Sequence, residues 1–342
     1  MTGDELFSKL SKFGLSPYEI KVYKTLLLNG PQTSTSIVST AGVPQPRVYD
    51  LFNNLLNKGL IEISPGKKKI YRAVPVDIAL NKIIEDMTAY KDELTEYVKV
   101  SEPEMTKYNP YLWYLDNTNL IREQMKNMVI NAETEIILSL RLPLLKYLDR
   151  YILDAADRGI SVILTIFPDS DRYDISELVN RVVIKRRPGI SPEIMIKDRD
   201  EAIVYVDNVS ARAKYALDFQ EQEMIHIINY YYYNIVWKPS IYISKFQIRQ
   251  KWEFKTSWIS CEAINVFMNN GYKLTGRVIG ETQNGEIDIS GNVKGTDVIP
   301  GYKNSFLIET DERVFTVGGR LTRIEDIRLE KFQLTAEKNN TK

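Results

Sequence analysis

Apolar residues recur with a helical period through the first sixty positions, interrupted by turn residues. Ile20, Tyr23, Leu26 and Leu27 lie three or four residues apart behind Ser16-Pro17-Tyr18-Glu19, which has the residue order of a capping box. The spacing predicts a helix of about three turns that Asn29-Gly30-Pro31 stops. Ile37 and Val38 mark a short second helix, and Ala41-Gly42-Val43 a tight turn. A third helix follows the Pro44-Gln45-Pro46 start, with Val48, Leu51, Phe52, Leu55 and Leu56 on its apolar face and Gly59 at its end. The pattern is that of a helix-turn-helix. Two alternating runs, Leu60-Ile61-Glu62-Ile63 and Lys68-Lys69-Ile70-Tyr71-Arg72, flank Ser64-Pro65-Gly66-Lys67 and predict a β-hairpin. An ordinary solvated hairpin has this pattern too, but directly behind a helix-turn-helix it reads as a wing.

After Pro75 the period lengthens. Leu80, Ile83, Met87, Tyr90, Leu94 and Tyr97 are spaced 3, 4, 3, 4 and 3, the seam of a coiled coil over nearly three heptads. Such a seam pairs with a second copy or packs on the chain's own next domain; a homodimer is the expectation. Ser101-Glu102-Pro103 ends the helix and opens a linker to about Pro110.

From Tyr111 strand and helix signals alternate. Leu112 to Leu115, Glu135 to Leu140 and Ile160 to Phe167 read as strands, and Asn119 to Val129 and Leu144 to Asp157 as helices. This predicts an α/β layer with a mainly parallel sheet. Ile194 to Lys197 and Ala202 to Val206 form a hairpin around Asp198-Arg199-Asp200, and one aromatic-rich helix covers about Gln220 to Trp237. Near Lys255 the composition shifts. Ser257 to Met268 looks helical, and five β-rich segments between Tyr272 and Leu334 predict a small antiparallel β subdomain. The fold class is multidomain α+β, with expected boundaries at 1–75, 76–110, 111–255 and 256–342.

Composition narrows the function. No run of the 342 residues approaches the roughly 18 apolar positions of a membrane span, and Met1 to Leu10 has no secretory pattern, so a cytoplasmic location and no membrane partner are expected. Net charge is zero, with 45 basic and 45 acidic residues, yet Lys67 to Arg72 gathers four cations in six positions. One cysteine, Cys261, excludes an internal disulfide framework and a cysteine metal cluster. One histidine, His226, leaves acid-base and metal chemistry poorly supplied, and no cofactor or metal is expected.

Candidate chemistry divides between the two ends. The third helix presents Gln45, Arg47, Tyr49 and Asn54 away from its apolar face. Arginine and glutamine read guanine and adenine in the major groove, while Lys67, Lys68 and Lys69 suit phosphate. Met195-Ile196-Lys197 sits on its hairpin as the His-x-Lys of a phospholipase D-like site would, but methionine occupies the position of the nucleophilic histidine. No Walker loop or Gly-x-Gly-x-x-Gly is present. His226 alternates with Ile225 and Ile227 and reads as a packed or capping residue. Tyr230 to Tyr233 and Trp237 suit either a core or the C-H faces of sugar rings. Gly318-Gly319 with Glu325-Asp326 can hold sugar hydroxyls or form a turn with solvated acids.

The chain resembles the archaeal TrmB family of sugar-sensing transcription regulators. The resemblance covers essentially the whole chain and is carried by Tyr49-Asp50 and Leu60-Ile61, by Trp237-Lys238-Pro239-Ser240, and by Phe315-Thr316-Val317-Gly318-Gly319 with Ile324-Glu325-Asp326. It implies a homodimeric repressor of sugar-transport and sugar-metabolism genes that binds double-stranded operator DNA. Its inducer would be a sugar of the maltose, sucrose, maltodextrin or trehalose class. The family's sugar contacts would fall on Asn304, Gly319, Ile324 and Glu325, with Thr322 and Arg323 in the same loop and Asn229 on the aromatic helix. Thr322, Arg323 and Asn229 depart from the family pattern and bear on which sugar is preferred. The α/β segment resembles a phospholipase D-like fold without its catalytic residues, so no enzymatic activity is expected. Two alternatives remain, a phosphodiesterase-like enzyme on that segment and an architectural DNA-binding protein without a ligand.

Overall fold

Reciprocal capping starts the main N-terminal helix. Glu19 N donates to Ser16 Oγ at 3.3 Å and Ser16 N donates to the Glu19 carboxylate at 2.7 Å, which satisfies two backbone donors that a helix start leaves open. The computed structural model describes residues 2–64, 66, 68–101, 112–167, 173–189, 191–208, 213–248, 251–320 and 324–338. They divide into units Met1–Met105 and Thr106–Lys342.

The N-terminal unit contains α1 (Gly3–Ser8), α2 (Pro17–Asn29), β1 (Gln32–Thr33), α3 (Ser34–Ala41), α4 (Val48–Asn57), β2 (Ile61–Ser64), β3 (Ile70–Ala73) and α5 (Val76–Ser101). The strands pair antiparallel in the order β1-β3-β2. Val22, Tyr23, Leu26, Ile37, Val48, Phe52, Leu55, Leu60 and Tyr71 fill the core, with the Phe52 and Tyr71 rings 4.2 Å apart. Gln45–Arg47 forms a separate 3-10 turn before α4 rather than its first turn, because Pro44 and Pro46 withhold backbone donors. Along α5, Leu80 and Ile83 pack against the core, whereas Met87, Tyr90, Leu94 and Tyr97 are 48% to 70% exposed.

The C-terminal unit begins with β4 (Leu112–Leu115), α6 (Thr118–Ile130), β5 (Glu135–Leu140), α7 (Leu142–Asp157), β6 (Ser161–Ile166), β7 (Val183–Arg186), β8 (Glu193–Lys197), β9 (Glu201–Asn208), β10 (Ala213–Phe219), α8 (Gln222–Tyr231) and β11 (Ile241–Ser244). Its eight strands run β11-β7-β6-β5-β8-β9-β10-β4. Only β5–β6 and β6–β7 are parallel; the other pairings are antiparallel, which corrects the expected mainly parallel sheet. Continuous apolar runs such as β5 and β6 report burial on both faces and not strand direction. The short Asp198-Arg199-Asp200 turn can only reverse the chain. That turn takes positive φ at Asp198 and Arg199, 48° and 64°, and is pinned where the Asp198 carboxylate accepts from the backbone of Glu133, Thr134 and Glu135 at 2.8 to 2.9 Å.

The expected single aromatic helix is two pieces. After α8 the backbone widens into a π-helical turn over Tyr232–Trp237, which turns Tyr232, Tyr233, Val236 and Trp237 inward together and leaves Tyr230 and Tyr231 exposed.

The remainder comprises β12 (Trp252–Phe254), α9 (Ser257–Asn269), β13 (Tyr272–Thr282), β14 (Gly285–Ile299), β15 (Lys303–Glu309), β16 (Val314–Gly318) and β17 (Ile327–Lys338). Strands β13 to β17 form an antiparallel series that closes on itself through a short parallel β16–β17 pairing. The expected small antiparallel β subdomain is therefore a closed barrel with one parallel pairing, and closure removes two exposed edges. Ile259, Ala263, Ile264 and Phe267 of α9 join Phe306, Val317 and Phe332 in its core. Among the described residues no helix is long and apolar enough to cross a membrane.

Candidate ligand cavity and DNA-facing surface

A cavity of about 310 Å³ lies within the C-terminal unit between α8, the start of α9 and one end of the barrel. Gln222, His226, Asn229 and Tyr233 recur every three or four residues and so present one helical face to it. The start of α9 contributes Thr256, Ser257 and Trp258, the barrel contributes Asn304, Gly319 and Arg320, and the β8–β9 turn contributes Arg199.

Buried polar bonds fix these elements. Glu135 Oε2 accepts from Lys255 N at 2.9 Å and Thr256 N at 3.2 Å, and Thr256 Oγ1 donates to the same carboxylate, tying α9 to the central sheet. Burial pushes that carboxyl above its usual range despite these donors. The Arg199 guanidinium donates to Lys255 O and, at 3.2 and 3.3 Å, to Leu329 O. Arg320 Nη1 donates to Gln222 Oε1 at 2.6 Å, joining barrel to α8 beside the cavity.

The cavity wall combines aromatic faces with amides. Tyr233 stacks on Trp258 with centroids 4.7 Å apart and planes 19° from parallel. Trp258 Nε1 donates to Asn229 Oδ1 at 2.9 Å; since indole only donates, this sets the amide orientation and makes the Asn229 nitrogen the donor group of that amide. Asn304 Oδ1 is buried with no hydrogen-bond partner among the described residues. A Cβ at Gly319 would stand 3.2 Å from Ser257 Oγ, so glycine keeps this stretch of wall open.

Asn229, Asn304 and Gly319 thus line one cavity. Glu325 does not: its carboxylate lies against Gly318, where a Cβ would fall 2.7 Å from Glu325 Cδ. Ser305 Oγ donates to Glu325 Oε1, while Oε2 is buried without a partner among the described residues. The adjacent Asp326 accepts from Thr316 N and Oγ1 at 2.8 and 2.7 Å, bonds that hold its carboxyl below the usual range and make it a structural residue. Ile324 is 64% exposed away from the cavity lining, and Thr322 and Arg323 lie outside the described residues. His226 is exposed at the cavity rather than packed, because the flanking Ile225 alone turns into the core. Arg199, Gln222, Ser257, Trp258 and Arg320 escaped the sequence reading. Only the 222-226-229-233 periodicity carried a signal of this face.

Met195, at the nucleophile position of the phospholipase D-like pattern, is fully buried. Lys197 Nζ lies 2.6 Å from Glu201 Oε2, and Gln124 Nε2 donates to Glu201 Oε1 at 3.0 Å. Among the described residues no cluster of histidine, cysteine and carboxylates has the makeup of a metal site.

In the N-terminal unit, Gln45, Arg47, Tyr49 and Asn54 are exposed, Tyr49 to 62%, while Val48, Leu51, Phe52 and Leu55 are buried. Lys68 and Lys69 are exposed and Lys67 lies outside the described residues. Arg72 is bound to Glu62 by a 2.6 Å bond from Nε, so among the described residues of this hairpin Lys68 and Lys69 are the exposed cations not held in that pair.

Three family models match the chain in succession. Sugar-specific transcriptional regulator TrmB covers residues 10–77, the EBD N-terminal subdomain of transcriptional regulator TrmB covers 111–244, and the EBD C-terminal subdomain of TrmB/TrmBL1 covers 249–337. The chain is 24% identical to the sugar sensing transcriptional regulator TrmBL1 of Pyrococcus furiosus, over 98% of this chain and 99% of the relative. It is 30% identical to a putative transcriptional regulator of the same organism, TrmBL2, over 48% of this chain and 69% of the relative. A solved structure of TrmBL2, an archaeal chromatin protein, aligns with 71% of this chain and all of its own at 22% identity and a TM-score of 0.35.

Proposed function

The chain belongs to the TrmB family of sugar-sensing transcriptional regulators, and from that premise we propose that it is a homodimeric repressor of sugar-transport and sugar-metabolism genes. A maltose-, sucrose-, trehalose- or maltodextrin-type sugar bound in the C-terminal cavity releases it from operator DNA. The observation that carries the sugar assignment is the buried Asn304 Oδ1, which has no hydrogen-bond partner among the described residues. A buried acceptor left without a donor is costly, and a sugar hydroxyl supplies the missing bond. Asn229 offers a donor in the same cavity, and Tyr233 with Trp258 gives an apolar wall for the ring. Glu325, whose carboxylate lies behind Gly318 and outside the cavity lining, supports the wall and does not meet the sugar directly.

On the DNA side, Gln45, Arg47 and Tyr49 enter the major groove, while Lys67, Lys68 and Lys69 track phosphate as a wing. Affinity then falls steeply with salt. The exposed α5 residues Met87, Tyr90, Leu94 and Tyr97 form the seam of a coiled coil between two copies, which sets the spacing of the two DNA-reading helices. The central sheet is a phospholipase D-like scaffold whose buried Met195 supplies no nucleophile. Induction requires the sugar to bind the DNA-free state more tightly than the DNA-bound state, since equal affinity shifts nothing.

A gel-shift titration of the full chain with maltose, sucrose, trehalose and glucose tests this. At least one sugar releases DNA in a saturable manner; indifference to all of them contradicts the sensor reading.

A further inference from the structure

Strands β5 and β6 in the middle of the eight-stranded sheet are buried on both faces, but β9, β10 and β4 form one end of it and are covered on one side. There α6 closes a core in which Ile203, Tyr205 and Ala216 meet Ile121 and Met125. A sheet with one solvated face alternates apolar with polar residues. Here the alternate positions are apolar too. Val204 and Val206 of β9, Tyr215 and Leu217 of β10, and Leu112 and Tyr114 of β4 share the other face, since Val206 pairs with Tyr215 and Leu217 with both Val204 and Tyr114. Leu112 and Tyr114 are 58% and 63% exposed, the others are half-buried, and the rings of Tyr114 and Tyr215 stack with centroids 5.4 Å apart.

A contiguous apolar surface of this kind marks a docking site, and its size and its place in the chain select the occupant. It is much smaller than the roughly 20–30 residues a side of a stable interface between separate proteins, so it holds only a partner that is already close. The chain supplies one. From Ser101, the end of α5, to Leu112, the start of β4, about ten residues intervene, and they reach at most about 36 Å when extended. Two chains paired through α5 therefore keep their β4 strands within tether reach, at an effective concentration on the order of millimolar. A second copy also brings the same face, and a twofold axis sets an apolar face against itself.

We propose that the face of β9, β10 and β4 packs on the same face of a second copy, so that the dimer is closed through its C-terminal units as well as through α5. This rests on the homodimer reading and adds a contact that the reading does not require.

The test is sedimentation of the full chain over a concentration series. Leu112→Lys with Tyr114→Lys puts like charges on both sides of the contact and raises the dimer dissociation constant at least about tenfold. Leu112→Ser with Tyr114→Ser, which removes apolar area without adding charge, shifts it in the same direction, and Tyr114→Phe keeps it within about twofold. Ile241→Lys, on β11 at the opposite end of the same sheet and 73% exposed, leaves it unaltered. A constant that neither double variant changes leaves the face to a partner other than a second copy and overturns the proposal, as does an equal shift from Ile241→Lys. A native chain that is monomeric throughout the series removes the homodimer reading and this contact with it; a native dimer insensitive to both double variants removes the contact alone.

Discussion

Trp258 Nε1 donates to Asn229 Oδ1 at 2.9 Å, so the residue that walls the cavity with its ring also orients the amide beside it. The two come from different elements, α9 and α8, and their bond is buried. Asn229→Ala leaves the indole N–H without an acceptor, at a cost of about 1–3 kcal/mol. Urea denaturation reads this as a lower midpoint, and an unchanged midpoint would show that the bond contributes nothing to folding.

Asn304 is the contrasting amide. Its Oδ1 has no partner to lose among the described residues and is costly to keep buried, so Asn304→Ala does not lower the stability of the sugar-free chain and weakens sugar binding about three- to tenfold. Calorimetry with the releasing sugar checks the affinity, and thermal unfolding without sugar checks the stability. Undiminished sugar affinity would remove Asn304 from the contact set.

The α5 seam is tested by charge. Met87→Lys with Leu94→Lys places like charges opposite one another in the paired helix and shifts the chain to a monomer at micromolar concentration in sedimentation experiments. DNA affinity falls with it. An unaltered mass would place the dimer contact elsewhere.

Asp218 gives the chain a pH signature. Burial, reinforced by the nearby Glu201 charge, pushes its carboxyl up to about 6 from an ordinary value of 3.8, and its Oδ1 has no partner among the described residues. Because the folded value is the higher one, the folded state keeps a proton that the unfolded state releases between pH 4 and 6. Stability from this group is complete below about pH 4 and is lost as pH rises through about 6. Asp218→Asn therefore stabilises the chain by on the order of 1–3 kcal/mol at pH 8 and by little at pH 3. Denaturation midpoints at the two pH values measure the difference, and an equal effect at both would contradict the assignment.

Local signals were legible in the sequence where a single element generates them. The Ser16–Glu19 capping box, the apolar face of α4 and the strand Glu135–Leu140 stand as read because caps and periodicity act over a few residues. Strand direction, barrel closure and the π-helical turn at Tyr232–Trp237 were not legible. Each depends on which distant segment lies alongside. The cavity divides in the same way. Asn229, Asn304 and Gly319 were anticipated through family resemblance, whereas Arg199 and Arg320 reach the cavity only because a β8–β9 turn and a barrel loop converge on it. Glu325 was read as part of the same contact set, but the space that Gly318 leaves draws its carboxylate behind the wall.

The central claim is a thermodynamic coupling between cavity and DNA, measured most directly by titrating one sugar into the full chain, first free and then saturated with a duplex selected from random sequence. Linkage requires the DNA to weaken sugar binding by the same factor by which the sugar weakens DNA binding. The account predicts a matched factor of about 5–150, with Asn304→Ala shifting both sugar titrations in parallel. Identical sugar affinity in the free and DNA-bound chain would contradict it.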